Sequence, residues 1–473
     1  MKWRNKCFLI LFLIAFSLQS QIKLPAFFGD NMVLQQKENV SIWGTDIPNS
    51  EVIISTSWGQ NKKVTTNSKG DWKTVIKTKK ASFTPETISI KGTTSITLKN
   101  VLIGEVWFCS GQSNMEMALS GLRKSKVLNA KKYLDISNNK NIRLFNTPRT
   151  ASVLPSNTVN AVWQESNESS AKKFSAIGYI FAMELYQKLN IPIGIIEASW
   201  GGTRIESWIP KKELLKYKNI RFFDKLPKEE NKQKKPSFLY NGMIHPFQNY
   251  TVKGILWYQG ESNRTQPKSY KNFMEELITS WRKQWKDESL PFYFVQIAPY
   301  DYTTYKRGTA IRSNLIREAQ LQVAQEVKNT GVVITTDAGD CNDIHPSKKE
   351  IVAKRLSYWA LANQYKKEVS FKSAELISFK IDENKVNLTF QFHNNDYFID
   401  TENVKGFAVA GADKVFYPAN VVFHKNGKQI TIFNKNVKKP VAVRYGFEAC
   451  FESNLKTNSG LPISVFRTDQ WEQ

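Results

Sequence analysis

Histidine is scarce in this chain: its 473 residues include only His245, His345, His393 and His424, and no His-Glu-x-x-His pair. A catalytic zinc site needs a denser set of ligands, so no metal is expected. Cysteine is equally sparse, with Cys7, Cys109, Cys341 and Cys450 and no Cys-x-x-Cys. Neither a Gly-x-x-x-x-Gly-Lys loop nor a Gly-x-Gly-x-x-Gly fingerprint occurs, which argues against nucleotide chemistry and leaves no expected cofactor. Acidic residues are also short, 42 against 67 Lys and Arg, for a formal charge of +25. The basic residues are dispersed and no nucleic-acid-binding signature accompanies them, so nucleic acid is not an expected partner. A diffuse positive field instead favours acidic substrates.

Long apolar runs are absent past the N-terminus. Residues 1–20 read as a secretory signal, with Lys2, Arg4 and Lys6 ahead of an apolar stretch from Cys7 to Phe16. The expected location is therefore secreted or periplasmic, with no membrane anchor. Removing the segment leaves Cys109, Cys341 and Cys450, an odd number that allows one disulfide. Cys109 precedes Ser113 by four residues and Cys341 precedes His345 by four. If those two segments converge, the two cysteines become neighbours, either paired or as buried thiols.

What the chain does have is core material: 41% of residues are hydrophobic and 12% aromatic, enough for about two or three domains. Residues 21–103 carry short alternating strands such as Val40-Ser-Ile42, Val52-Ile-Ile54 and Ile88-Ser-Ile90, which predict a small β-sandwich. From residue 104 to 365, apolar runs at Val106-Trp-Phe108, Ile142 to Phe145, Ile193 to Ile196, Gly254 to Trp257, Phe292 to Val295 and Val332 to Ile334 alternate with helical stripes. The stripes include Ile177, Phe181, Leu185, Leu189 and Phe273, Leu277, Trp281, Trp285. This rhythm predicts an α/β fold, a three-layer αβα parallel sheet, flanked by the N-terminal β-sandwich and a C-terminal β region over 366–473. A hairpin from Phe423 to Ile430 carries an Asn426-Gly427 type I′ signal. The basic stretch 211–236 lacks periodicity and reads as solvated surface loop.

Ligands of an open parallel sheet bind beyond its carboxyl-end strand tips. The residues there are polar and glycine-rich: Ser110-Gly-Gln-Ser113-Asn-Met115, Ser199-Trp-Gly-Gly-Thr203, Tyr258-Gln-Gly-Glu-Ser-Asn263 and Asp340-Cys-Asn-Asp-Ile-His345. Such an edge can supply a serine nucleophile with its base and its N–H donors. Ser113 sits at a strand-to-helix turn, and His345 alone of the histidines directly follows a strand of this middle region. Asp343 lies two residues before His345, on the same side of an extended segment, so its carboxylate can reach Nδ1. Gly201 and Gly202 can bring backbone N–H groups to an oxyanion, and Gln259 or Asn263 can add an amide. Each has a plainer reading as N-cap, loop histidine, turn or buried polar residue. Their coincidence at one sheet edge favours chemistry.

Together these motifs resemble the SGNH hydrolase superfamily and, within it, the sialate O-acetylesterase family. The likeness extends through Leu239-Tyr-Asn-Gly-Met-Ile244, Arg317-Glu-Ala-Gln320 and Val443-Arg-Tyr-Gly446. It implies a nucleophile at Ser113, a base at His345 and an oxyanion hole from Ser113, Gly201 or Gly202 with Gln259 or Asn263. Where the superfamily has Asp three residues before the base, this chain has Asn342. Asp343, Asp340 or backbone carbonyls are the remaining partners for the imidazole. The implied substrate is an O-acetylated glycan, a sialoside above all, with acetylated xylan as the rival and a non-catalytic glycan-binding role as the other alternative. Trp200, Arg204, Trp208 and Tyr258 flank the expected cleft as substrate-binding candidates. Arg204 suits a sialate carboxylate or, more plainly, an ion pair with Glu206 or Glu261.

Overall fold

The computed structural model describes residues 21–227, 231–302 and 312–471; the expected signal, 1–20, lies outside the described residues. Its spine is one long strand, Ser95–Gly111. The first half pairs antiparallel with Ser82–Lys91 in the N-terminal β unit. The second half runs parallel between Ile193–Ser199 and Gly254–Tyr258. The sequence records this change: burial is intermittent up to Asn100 and continuous from Val101 to Gly111, as expected of a strand that leaves a half-solvated sheet for a fully covered one. The expected division at 103/104 falls inside this strand.

Across the large mixed sheet the order is Thr330–Val333, Phe292–Val295, Gly254–Tyr258, Ser95–Gly111, Ile193–Ser199, Asn139–Asn146 and Trp163–Ser166, the last strand alone antiparallel to its neighbour. Each strand expected between 104 and 334 lies in this set. The edge strand Trp163–Ser166 is too short and polar to announce itself.

Side chains alternate through the sheet, so Trp107 and Cys109 join the core beneath helices Ala176–Leu189 and Lys349–Tyr365, whereas Phe108 faces the core shared with Pro267–Trp285 and Ser313–Glu326. Fully buried side chains such as Leu277 and Trp281 each contribute roughly 2–3 kcal/mol of apolar transfer. The second of these cores also takes in Val40, Ile54 and Ile90 of the N-terminal β unit, so that unit shares its interior with the sheet.

The C-terminal region forms two four-stranded antiparallel sheets around a separate core. It is tied to the sheet by the Cys341–Cys450 disulfide. This corrects the expectation of a Cys109–Cys341 neighbourhood: Cys109 points into the core beside Gly178 and remains a buried free thiol. The hairpin over 420–433 forms, but its turn is not type I′. Gly427 alone has a positive φ, and its N–H returns to the His424 carbonyl, giving a longer loop. No helix of the described residues is long and apolar enough to cross a membrane.

Candidate active site

The spine strand ends at Gly111, where φ is +142° and a Cβ would meet the Tyr258 carbonyl oxygen at 2.2 Å. Only glycine permits this approach, and the chain then turns into the short helix Ser113–Glu116. Two bonds brace the turn: the Gln112 N–H donates to the Tyr258 carbonyl (2.9 Å), and the Ser175 hydroxyl donates to the Met115 carbonyl (2.6 Å). His345 arrives from the irregular loop after Thr330–Val333 and places Nε2 2.9 Å from Ser113 Oγ. The two residues, 232 positions apart in sequence, share one hydrogen bond.

Asp343 takes a different part from the one expected. Its Oδ1 accepts the backbone N–H of His345 at 2.8 Å and stands 3.9 Å from Nδ1, an electrostatic contact beyond hydrogen-bond length. Asp340 instead accepts the Asn342 N–H within its own turn. Burial, then the charge of Lys349, depress the His345 pKa below the usual imidazole value, with Asp343 opposing. A neutral imidazole is the form that can take a proton.

The N–H donors divide into two sets. Gly201 lies against Ser113, but its N–H is held at 2.8 Å by Glu116 Oε2, and Glu116 is in turn paired with Arg149. Among the described residues the N–H groups of Ser113 and Gly202 have no hydrogen-bond partner. The two amide candidates are both turned inward. Gln259 is 0% exposed and donates to the Thr203 carbonyl and Asn263 Oδ1. Asn263 accepts from the Ile205 N–H and donates to Glu206. Their polar groups satisfy one another and fasten two loops, because a buried amide left unpaired is costly.

A cleft of about 960 Å³ opens over Ser113 and His345, and Trp200, Gly202 and Arg204 line it. Arg204 makes no ion pair with Glu206 or Glu261; among the described residues its guanidinium donates to Gln266, at 3.5 Å. Trp208 and Tyr258 do not line the cleft. Trp208 is buried edge-to-face against Trp257 with its indole N–H on Thr203, and Tyr258 lies in the core beneath the turn that bears Ser113.

Several cleft residues had no forecast: Gln112, Arg123, Arg149, Lys234 and Arg264. Arg149 follows the tip of Asn139–Asn146, so the strand-end rule covers it. Lys234 corrects the reading of 211–236 as mere surface, since the loop folds back to the cleft. With Arg204, five cationic side chains border the opening, against Glu116 and the buried Glu261. Among the described residues no group of three or more His, Cys, Asp or Glu side chains is arranged to hold a metal ion.

Comparison with known proteins agrees with this geometry. Residues 103–357 match the carbohydrate esterase, sialic acid-specific acetylesterase family. The chain is 28% identical to the sialate O-acetylesterase of Mus musculus, with 89% of each chain covered. It is 29% identical to that of Homo sapiens, over 78% of this chain and 76% of that one. Among solved structures, a carbohydrate acetylesterase from Xanthomonas citri superposes with a TM-score of 0.86 at 31% identity, over 95% of this chain and 100% of that one. A shared sheet, a serine and histidine in contact at its edge and this coverage lead to one conclusion: the chain belongs to the sialic acid-specific acetylesterase family of carbohydrate esterases and is a carboxylic ester hydrolase.

Proposed function

We propose that this protein removes O-acetyl groups from sialic acids by two-step acyl transfer through Ser113 and His345, on a three-layer SGNH-type scaffold, after export directed by residues 1–20. The observation that carries the reading is the 2.9 Å contact between Ser113 Oγ and His345 Nε2 at the floor of a cationic cleft. As Oγ attacks the acetyl carbonyl, Nε2 takes its proton. The carbonyl oxygen becomes an oxyanion, for which the unpartnered N–H groups of Ser113 and Gly202 are the donors at hand. The imidazolium then protonates the departing sugar oxygen and leaves an acetyl-serine. Water, deprotonated by His345, attacks that ester; the products are acetate and the free serine.

Neutral glycans have no charge for Arg123, Arg204 and Lys234 to meet, whereas a sialate presents a carboxylate. Acetate release from acetylated sialosides is expected to exceed that from acetylated xylooligosaccharides at low salt, and to fall as salt rises. The reverse preference would assign the enzyme to neutral polysaccharides. Ser113→Ala is expected to lower hydrolysis of 4-nitrophenyl acetate by about a thousandfold or more. Equal rates for variant and wild type would remove the catalytic reading and leave a glycan-binding one.

A further inference from the structure

Beneath the serine and histidine sits a charge that the acyl-transfer scheme does not use. Lys349 opens helix Lys349–Tyr365, four residues past His345, yet it is 1% exposed. A buried ammonium is expensive unless its hydrogen bonds are made. Its Nζ donates to Asn114 Oδ1 at 2.5 Å and stands 5.9 Å from the centre of the Tyr258 ring. Asn114 is the residue after the nucleophile. Its Nδ2 donates to Glu261 Oε1 at 2.6 Å and to the carbonyl of Ile344, the residue before the base, at 3.0 Å. One amide thus presents its oxygen to a cation and its nitrogen to an anion and to the base loop, an orientation that fits a charged lysine and a charged glutamate.

We propose that Lys349 is a positioning residue of the esterase: through Asn114 it fixes the turn bearing Ser113 to the loop bearing His345, and it sets the electrostatic field around the imidazole. The inference rests on the acyl-transfer reading above and adds to it the reason why a serine and a histidine from distant segments keep contact distance. If Lys349 were lost, the Asn114 oxygen would lose its donor, and the amide that reaches the Ile344 carbonyl would be held through its nitrogen alone. Small displacements of reacting groups are costly to rate.

The field follows from what faces the imidazole. Lys349 approaches from its helix, Arg123 from the loop after the nucleophile and Asp343 from the base loop itself, and the two cations oppose protonation that Asp343 favours. Glu261 acts on Lys349, whose charge it favours. Burial pushes the Lys349 pKa down to about 7, with Glu261 and then Asp343 resisting.

The test is the pH profile of kcat/KM for 4-nitrophenyl acetate in the wild type, Lys349→Met and the double variant Glu261→Gln/Lys349→Met. The double variant leaves no unmatched buried charge and is the one expected to fold if the single variant does not. Removing the cation should raise the imidazole pKa, moving the acid limb up by about half a pH unit or more. It should also lower kcat by about tenfold with a smaller change in KM. A folded variant whose acid limb stays at the wild-type pH overturns the proposal, whatever its kcat, because that is the result of loosened packing alone, with the field at the imidazole unchanged. Ser113→Ala measured alongside separates the two readings. If it stays active, the acyl-transfer reading fails; if it is dead while the limb of the lysine variants is unmoved, only the role of Lys349 fails.

Discussion

The two halves of the proposed reacting pair are held by different means. Ser113 stands on regular backbone: Gly111, two residues before it, is paired on both sides, with Ser199 and with Tyr258, in the middle of the sheet. His345 stands on a loop with no regular structure and is held by side chains and a covalent bond. Asp337 near the loop's start is clasped by both terminal guanidinium nitrogens of Arg355, at 2.6 and 2.8 Å, and by Lys456 of the C-terminal region at 3.0 Å. Cys341 in its middle is bonded to Cys450. Its end is held through Asn114. Ser113, borne by a strand, inherits its position from the sheet, whereas His345, borne by a loop, needs dedicated fastenings, and the C-terminal β region contributes Lys456 and Cys450 to them. That region therefore serves the proposed catalytic centre as well as forming its own core.

The contrast breaks most readily at Asp337. Arg355→Met should destabilise the protein by about 3–5 kcal/mol in chemical unfolding, since it strips a buried carboxylate of its bidentate partner. An effect under about 1 kcal/mol would show that Lys456 alone suffices. Acid should weaken the same clasp. Burial works against the Asp337 charge, yet the hydrogen bonds and charge of Arg355, with Lys456, win and hold its carboxyl below the usual value. A depressed carboxyl pKa contributes stability that is complete above the pH where an unfolded Asp titrates, about 4, and fades as the pH falls through its folded value. Arg355→Met should therefore flatten the acid side of the stability curve.

Opening the disulfide comes next. It closes a separation of 109 residues, and Cys450→Ser or reduction should cost about 2–4 kcal/mol of stability. Because Cys341 precedes His345 by four residues, kcat should fall as well, measured with an aryl acetate below the unfolding temperature. Cys109→Ala should keep the full sensitivity to reductant, since that thiol is buried and unpaired. Equal sensitivity of stability but unchanged kcat would mean that the other two fastenings are enough to hold the base.

The same division explains what could be read from residues alone. Strands and helices were legible because their apolar spacing is local, and Ser113 and His345 because each follows a strand tip. The inward turn of Gln259 and Asn263 was not legible: a buried amide and a cleft amide have the same chemistry, and only the neighbours Thr203, Ile205 and Glu206, brought in from another loop, decide between them. Trp208 and Tyr258 failed as cleft aromatics for the same reason, since burial is a property of the assembled core. Lys234 was obscured because the stretch around it has no period to place it. The Cys450 partner lay too far along the chain for spacing to signal it.

The smallest expected effect tests how much the base side owes to a carboxylate. A triad in which Asp343 accepts the Nδ1–H would lose orders of magnitude on conversion to the amide. At 3.9 Å, with its Oδ1 already accepting the His345 N–H, Asp343 acts on the ring by charge through space. Asp343→Asn keeps an acceptor for that N–H and removes the charge, so kcat should fall by about threefold to tenfold, in line with the loss of one part-exposed ion contact. Asp343 raises the imidazole pKa against burial and Lys349, so the acid limb of kcat/KM should move to lower pH, opposite in sign to the shift expected from Lys349→Met. A loss of a thousandfold or more would mean that the carboxylate closes onto Nδ1 when substrate binds, and that the base side tightens during turnover while the strand-borne nucleophile stays where the sheet holds it.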